Sequence, residues 1–237
     1  MACRFVAFTV TNNPDHPGAE RLARSAKYWG WDLKWIQQDI DRVTFGGQQL
    51  GQLEALRKFE PEYFLYLDAW DTIFTGPPQE LQFIPGVLTF GGDTVLTEGW
   101  AELGQCAKIS SDDFPPVPVG GFRYVNDGTL WGDSLILQEL AGDYLQNYSQ
   151  CINQDYFNKR LAFEHGLFRK RLQVDYKAQV SLNIMGTYRR EVDCLPNHRL
   201  LYLPFKTTPL VLHSPGTAGK EPVAPIPKWM VDEYCAE

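Results

Sequence analysis

Asp68 and Asp71 stand on either side of Trp70, directly after an apolar and aromatic run at residues 63–67 that is typical of a buried strand. Two like charges about 4 Å apart repel by roughly 4 kcal/mol at an effective dielectric near 20. A divalent cation converts this repulsion into binding, and ligands of open α/β sheets bind beyond the carboxyl ends of the strands. The pair therefore predicts an oxygen-liganded metal that holds an anionic substrate. The alternative is that one aspartate caps a turn while the other is solvated.

His213 is the candidate third ligand. It closes an apolar run at residues 209–212 and opens a Gly-containing loop that reaches Lys220. An imidazole at a strand end can complete a metal shell, and the loop with its lysine can contact phosphates. The prediction requires His213 to lie within ligand reach of the two aspartates. The alternative is a surface histidine before a Pro-rich tail.

Two further features have the chemistry of a nucleotide pocket. Gly46 and Gly47 precede a predicted helix, where glycine lets the backbone approach a ligand and the helix N-terminus favours anions. A loop that binds nothing is the alternative. Trp70 suits stacking on a nucleobase, worth about 1–3 kcal/mol, but it equally suits a place in the core.

The elements that must position these residues follow from apolar periodicity, glycine and proline. Proline opens and glycine closes the first predicted helix. We expect strands at 5–10, 33–36, 63–67, 87–90, 180–184 and 210–213, helices at 17–29, 50–59, 133–145 and 153–163, a turn at 126–128, and loops at 44–49 and 110–121. Strand–helix alternation in the first half, with an irregular second half, favours one α/β domain with helices on both faces of the sheet.

The composition limits the classes of function. The chain has 237 residues, of which 44% are hydrophobic and 14% aromatic, and this suits a globular domain. The net charge of −7 argues against nucleic acid or an anionic membrane as a partner. No run of about 18 apolar residues is present, so no membrane span is expected. The five widely spaced cysteines predict free thiols. Without a recognisable signal peptide or ER retention signal, we expect a cytoplasmic protein.

A set of segments in a fixed order carries a resemblance to a known family. The segments are Phe8-Thr9-Val10, Ser25-Ala26-Lys27-Tyr28, Gly46-Gly47-Gln48, residues 67–77, Tyr124-Val125-Asn126-Asp127-Gly128, Gln154 with Tyr156 and Phe157, and His213. Together they resemble the glycosyltransferase domain of the procollagen lysyl hydroxylases, which has a GT-A fold and uses a UDP-sugar and manganese. The resemblance implies a single Rossmann-like α/β domain at residues 1–220, with a mostly parallel sheet flanked by helices, and a Pro-containing tail at 221–237.

The resemblance also implies an activity and a site. The activity is metal-dependent transfer of a hexose from UDP-glucose or UDP-galactose to a hydroxyl of a glycan or a protein side chain. Asp68, Asp71 and His213 would hold Mn²⁺ or Mg²⁺ against the diphosphate, and Trp70 would stack on the uracil. The remaining implied contacts to the nucleotide come from Thr9, Asn12, Gly46, Gly47, Gly216 and Lys220.

The chain departs from the family where the catalytic carboxylate is expected. The family has an acidic run just before the Gln, whereas this sequence has Cys151-Ile152-Asn153-Gln154 and places Asp155 after it. Asp155, Asp127 and Asn153 are therefore the candidate catalytic residues. One alternative is a catalytically impaired protein that binds nucleotide sugars. Another is a phosphohydrolase with Asp68 as nucleophile, although the usual Asp-x-Asp spacing is missing.

Overall fold

The computed structural model describes residues 4–38, 46–94, 96, 110–114, 116–118, 121–149, 152–163, 171–184 and 191–214. The strands in these ranges are β1 (Phe5–Thr11), β2 (Leu33–Gln37), β3 (Tyr63–Asp68), β4 (Thr72–Phe74), β5 (Leu88–Asp93), β6 (Tyr124–Asp133), β7 (Leu172–Val174), β8 (Ser181–Asn183), β9 (Val192–Cys194), β10 (Leu200–Tyr202) and β11 (Val211–His213). The α-helices are α1 (Pro17–Trp29), α2 (Gly47–Phe59), α3 (Ser134–Asp143) and α4 (Asn153–Phe163).

Six of these strands form the central sheet, in the order β2-β1-β3-β6-β5-β7. The pairs β1–β2, β1–β3 and β5–β7 are parallel, whereas β6 is antiparallel to both of its neighbours. A smaller three-stranded sheet has the order β4-β11-β8. The predicted α/β sheet is confirmed, and β6 is the strand that makes it mixed.

Alternating residues of β1 pack against helices on opposite faces of the sheet. Phe8 belongs to a core cluster that contains apolar side chains of α2, α3 and α4. Its neighbour Ala7 belongs to a second cluster, to which α1 contributes Leu22 and Ala26. Because successive side chains of a strand point to opposite faces, the two clusters cover both faces of the sheet. The expected helices on both faces are confirmed.

The limits of α1 follow from its capping residues. His16 is the N-cap, and its Nδ1 accepts a hydrogen bond from the Gly18 N–H at 3.0 Å. Pro17 occupies the first helical position, where a missing N–H costs nothing. At the other end Gly30 has φ +78°, in the left-handed region that ends helices. The predicted start and stop of this helix are confirmed.

The turn predicted at residues 126–128 is wrong as an element boundary, because β6 runs through it. The ladder between β5 and β6 passes from Phe90–Leu130 directly to Gly91–Asn126, so residues 127–129 form a bulge in β6. The Asn126 side chain accepts a hydrogen bond from the Gly128 N–H at 3.1 Å. The turn chemistry of the Asn-Asp-Gly sequence is therefore used inside a strand, where it builds the bulge.

Several predictions concern residues outside the described ranges. Gly216, Lys220 and the tail at 221–237 lie there, as do parts of the loops at 44–49 and 110–121. Cys194 is the one cysteine within the described ranges, and it is not part of a disulfide bond. Among the helices of the described residues, none has the length and apolar character needed to cross a membrane.

A partly buried ion pair is expected to stabilise the contact between α3 and α4. The Asp143 carboxylate accepts hydrogen bonds from Tyr156 Oη at 2.6 Å, from Asn147 Nδ2 at 2.8 Å and from Arg160. Burial alone would raise the pKa of Asp143, but these donors outweigh burial and lower it. Asp143→Ala is therefore expected to lower the free energy of unfolding by about 1–3 kcal/mol at neutral pH, because it leaves donors unpaired.

The loss depends on pH with a defined sign. A carboxyl group with a lowered pKa in the folded state stabilises above its unfolded pKa, and this contribution disappears as pH falls through the folded value. Urea denaturation of the wild type and Asp143→Ala is thus expected to show a stability gap at pH 7 that narrows below about pH 4. Asp32→Ala is the control, because Asp32 pairs with Lys34 with its side chain 83% exposed. A gap that does not change with pH would contradict the assignment.

Candidate metal and nucleotide site

The two aspartates and the histidine converge at the carboxyl end of β3. Asp68 is the last residue of β3, and Asp71 follows in the short loop before β4. Strand β11 pairs antiparallel with β4 and sets His213 opposite Thr72. His213 Nε2 lies 3.6 Å from Asp71 Oδ1 and 3.9 Å from Asp68 Oδ2. One ligand atom from each residue lies within 4.8 Å of the others, which meets the geometric condition set by the sequence.

This cluster is buried and strongly acidic. His213 is 2% exposed and Asp71 is 8% exposed. Burial alone would lower the pKa of His213, but the carboxylates of Asp71, Asp68 and Asp127 outweigh burial and raise it. Carboxylates concentrated around one imidazole make a favourable place for a divalent cation. The donor set of oxygen and nitrogen atoms fits manganese or magnesium better than a soft metal.

Neighbouring residues orient the Asp68 carboxylate and anchor the segments that carry Asp71 and His213. Tyr66 Oη lies 2.8 Å from Asp68 Oδ1, and this contact directs the other carboxylate oxygen, Oδ2, toward His213. The Ser214 N–H donates to the main-chain oxygen of Asp71 at 2.8 Å and ties the end of β11 to the aspartate loop. Such outer contacts fix the direction in which a ligand presents its lone pair.

Gly128 lies directly against the cluster, which the sequence did not reveal. A Cβ atom on Gly128 would lie 2.2 Å from His213 Cε1, 2.5 Å from His213 Nε2 and 3.0 Å from Asp68 Oδ2. The bulge of β6 thus places backbone without a side chain beside the candidate metal ligands His213 and Asp68. The Asn-Asp-Gly sequence was the available signal, but it indicated a turn and gave no indication that the turn would face the acids.

Trp70 contacts the end of β1, the loop that follows it and the N-cap residue of α1. Its Nε1 donates to Thr11 Oγ1 at 3.1 Å and lies 3.3 Å from the main-chain oxygen of Asn13. Its ring stacks on His16 with centroids 4.4 Å apart and an interplanar angle of 21°. The residue is half-buried, so it is not a core tryptophan. His16 was not among the sequence candidates, and its cap position was the only local signal.

The other residues predicted to contact the nucleotide differ in their burial and in their contacts. Asn12 is half-buried and lies between Thr11 and Asn13, the two hydrogen-bond partners of Trp70. Thr9 is fully buried, and its hydroxyl donates to the main-chain oxygen of Leu67 at 2.8 Å, so its side chain serves the sheet. Gly46 caps α2 with φ +96°, and a Cβ there would lie 2.9 Å from Leu145 Cδ2. Gly47 begins α2 directly after it.

Two of the three candidate catalytic residues connect through Gln48. Asp127 lies in the bulge beside Gly128, and its charge is one of those that raise the pKa of His213. Asn153 Nδ2 donates to Gln48 Oε1 at 2.8 Å, and Gln48 Nε2 donates to the main-chain oxygen of Asp127 at 3.3 Å. Asp155 lies in the first turn of α4, where burial raises its pKa. In the sequence, Gln48 stood out only as a member of the Gly46-Gly47-Gln48 segment.

The mixed six-stranded sheet, with helices on both faces and paired acids after β3, has the architecture of the GT-A-like glycosyltransferase fold. A crystal structure of a glycosyltransferase involved in the glycosylation of the major capsid of PBCV-1 is similar to this chain, with a TM-score of 0.53. The likeness covers 91% of this chain and 94% of that chain at 12% sequence identity, and it establishes the fold. No protein-family model matches the sequence, and no curated protein matches it either.

Proposed function

We propose that this protein is a metal-dependent glycosyltransferase that transfers a hexose from a UDP-sugar, glucose or galactose, to a hydroxyl acceptor. The observation that carries the proposal is the convergence of Asp68, Asp71 and His213 from opposite parts of the chain. It occurs in a glycosyltransferase fold, at the sheet edge where α/β proteins bind ligands. The resemblance of the ordered segments to the procollagen lysyl hydroxylase domain supports the choice of donor.

The site residues divide into three groups by the part of the donor they would contact. Asp68, Asp71 and His213 would hold Mn²⁺ or Mg²⁺. When bound there, the cation acts as a Lewis acid on the diphosphate leaving group. Trp70 would present its indole to the uracil, with the ring held in place by Thr11 and His16. Asn12 and the Gly46-Gly47 segment complete the nucleotide pocket, with Gly216 and Lys220 proposed over the diphosphate.

Asp127 and Asp155 are the proposed catalytic carboxylates. The charge of Asp127 helps to raise the pKa of His213, so this carboxylate acts electrostatically on the candidate metal ligands. Asp155 has its pKa raised by burial, which suits a group that exchanges a proton during the reaction. Asn153 stands two residues before Asp155 and orients the Gln48 side chain.

The proposal is tested by measuring UDP release with Mn²⁺ from UDP-glucose, UDP-galactose, UDP-N-acetylglucosamine and UDP-glucuronate. We expect release from one of the first two, and a rise in Tm with UDP that requires the metal. The assay names the donor and detects catalysis in one step. A protein whose Tm does not respond to UDP, with or without Mn²⁺, is not a UDP-sugar transferase.

A catalytically impaired protein that binds nucleotide sugars is the second candidate. It is favoured by the position of Asn153, which offers an amide to Gln48 where the resembled family has an acidic run. This candidate predicts UDP binding without UDP release, including the slow release caused by hydrolysis. Turnover that disappears in Asp68→Ala would exclude it.

Manganese affinity is expected to rise with pH. A metal binds the neutral imidazole, and the raised pKa of His213 means that a proton must leave when the ion binds. Below that pKa the affinity falls by about tenfold per pH unit. The contribution of protonated His213 to folding has the opposite dependence on pH. A group whose pKa is raised in the folded state stabilises the fold below its unfolded-state pKa, and this stabilisation is lost as pH rises through the folded-state pKa. The rise in Tm caused by Mn²⁺ is therefore expected to grow with pH.

Calorimetry in buffers with different ionisation enthalpies measures this proton directly. We expect proton release on Mn²⁺ binding below the raised pKa of His213 and less release above it. Binding that releases no proton at any pH would show that His213 is not a ligand.

A further inference from the structure

Gln48 is a half-buried residue in the first turn of α2. Its Oε1 accepts a hydrogen bond from Asn153 Nδ2 at 2.8 Å, and its Nε2 donates to the main-chain oxygen of Asp127 at 3.3 Å. One carboxamide thus joins the first turns of α2 and α4 to the bulge of β6. Because an amide has one accepting end and one donating end, the bond from Asn153 fixes which end faces Asp127.

The bulge is the part of β6 that most needs such support. Asp127 and Gly128 lie outside the paired registers with both β3 and β5. Side-chain hydrogen bonds hold them instead, and these include the bond from the Gly128 N–H to Asn126 and the bond from Gln48 to Asp127. Fewer ladder bonds leave local geometry more dependent on each remaining contact.

The position of this bulge sets the space between the metal ligands. A single added Cβ on Gly128 would lie 2.2 Å from the His213 ring and 3.0 Å from Asp68. A backbone shift of one bond length toward the ligands would fill the same space. A shift away would open the cavity and carry Asp127 with it.

We propose that Gln48 is a positioning residue of the metal site, which holds the Asp127–Gly128 bulge against His213 and Asp68 and so preserves the space for a divalent cation. It acts through the main-chain oxygen of Asp127 and is not a catalytic residue. The consequence for metal binding rests on the proposed function, whereas the link between Gln48 and the bulge belongs to the metal-free protein.

Gln48→Met tests the link, because it removes both hydrogen bonds and changes neither the length nor the charge of the side chain. In the metal-free protein we expect amide hydrogen exchange across residues 126–129 to accelerate about fivefold, the change expected from one net hydrogen bond. We also expect the Kd for Mn²⁺, measured by electron paramagnetic resonance of the free ion, to rise about tenfold.

Two further variants make the test specific. Gln173→Met is the matched control, because it removes the hydrogen bond from Gln173 in β7 to Thr89 Oγ1 in β5 and should change neither measurement. Gln48→Glu keeps an acceptor for Asn153 but has no donor for Asp127. It is expected to accelerate exchange at residues 126–129 as Gln48→Met does, and it serves if the Met variant does not fold.

The outcomes separate this inference from the proposed function. Unchanged exchange at residues 126–129 in both Gln48 variants overturns the link, whatever the activity. Faster exchange with an unchanged Kd for Mn²⁺ overturns the positioning role. A wild-type protein that neither binds Mn²⁺ nor releases UDP defeats the proposed function, and the positioning role is then lost with it. Faster exchange at residues 126–129 together with weaker Mn²⁺ binding, both confined to the Gln48 variants, supports the inference.

Discussion

Replacement of Asp71 by asparagine is expected to reduce turnover of the UDP-sugar at least about 100-fold, with little change in the fold. A Lewis-acid metal is worth several kcal/mol to the reaction, and each 1.36 kcal/mol corresponds to about tenfold in rate. Asparagine has the same shape as aspartate, and the main-chain bond from Ser214 to residue 71 does not depend on the side chain. The variant therefore removes one charge from the cluster and leaves the loop intact.

The Tm of metal-free Asp71→Asn gives a second readout, which is not expected to fall as the activity does. Above the raised pKa of His213, where the imidazole is neutral, Asp71 and Asp68 repel each other, so removing one charge should leave the Tm unchanged or raise it. The Tm should then no longer respond to Mn²⁺. Asp32→Asn is the matched control, because it makes the same change on an exposed side chain. Full activity of Asp71→Asn would show that the cluster does not bind a required metal.

Adding one methyl group at position 128 is expected to weaken Mn²⁺ binding on the order of 100-fold. This is at least as large as the loss in affinity caused by removing a residue that hydrogen-bonds to a metal ligand. In Gly128→Ala the new Cβ would lie 2.5 Å from His213 Nε2, the nitrogen that faces both acids. The φ angle of Gly128 is not in the left-handed region, so alanine adds no backbone strain there. The effect is thus one of space alone, measured by titration of Mn²⁺ and by UDP release.

Gly142 provides the comparison for this substitution. A Cβ at Gly142 meets nothing within 4 Å, and the residue lies near the end of α3. Gly142→Ala should leave metal binding unchanged and stabilise the helix by up to about 1 kcal/mol. If both alanine variants bind Mn²⁺ as the wild type does, the space beside Gly128 is not the metal site.

Most of the helices and sheet strands of the described residues followed from local chemistry. Proline and glycine mark the ends of α1, and the aromatic run that became β3 is buried as a continuous apolar strand should be. The strands β4, β6, β7, β9 and β10 were not predicted. All but β6 have three residues, which is too short for a period to be recognised, whereas β6 was missed because the Asn126-Asp127-Gly128 sequence indicated a turn.

The candidate site was predictable only in the parts that lie at strand ends. Asp68 and His213 each close an apolar run, so the end of the run indicates where the side chain faces. The contributions of Gly128, Gln48 and His16 depend on how distant segments meet, which no local pattern records. The register shift in β6 is the clearest case, because turn residues inside a strand look the same in sequence as turn residues between strands.

The small sheet β4-β11-β8 has a consequence for how the molecule holds together. β11 is the last strand of the described residues, and it carries its histidine to acids that follow the third strand. A cation bound there would act as a crosslink that closes a very long loop, and such closures restrict the unfolded chain most. Chelation should therefore do more than stop transfer. It should lower the free energy of unfolding, and although the pairing of β11 with β4 and β8 and the Ser214–Asp71 bond remain, amide hydrogen exchange at residues 211–213 should become faster.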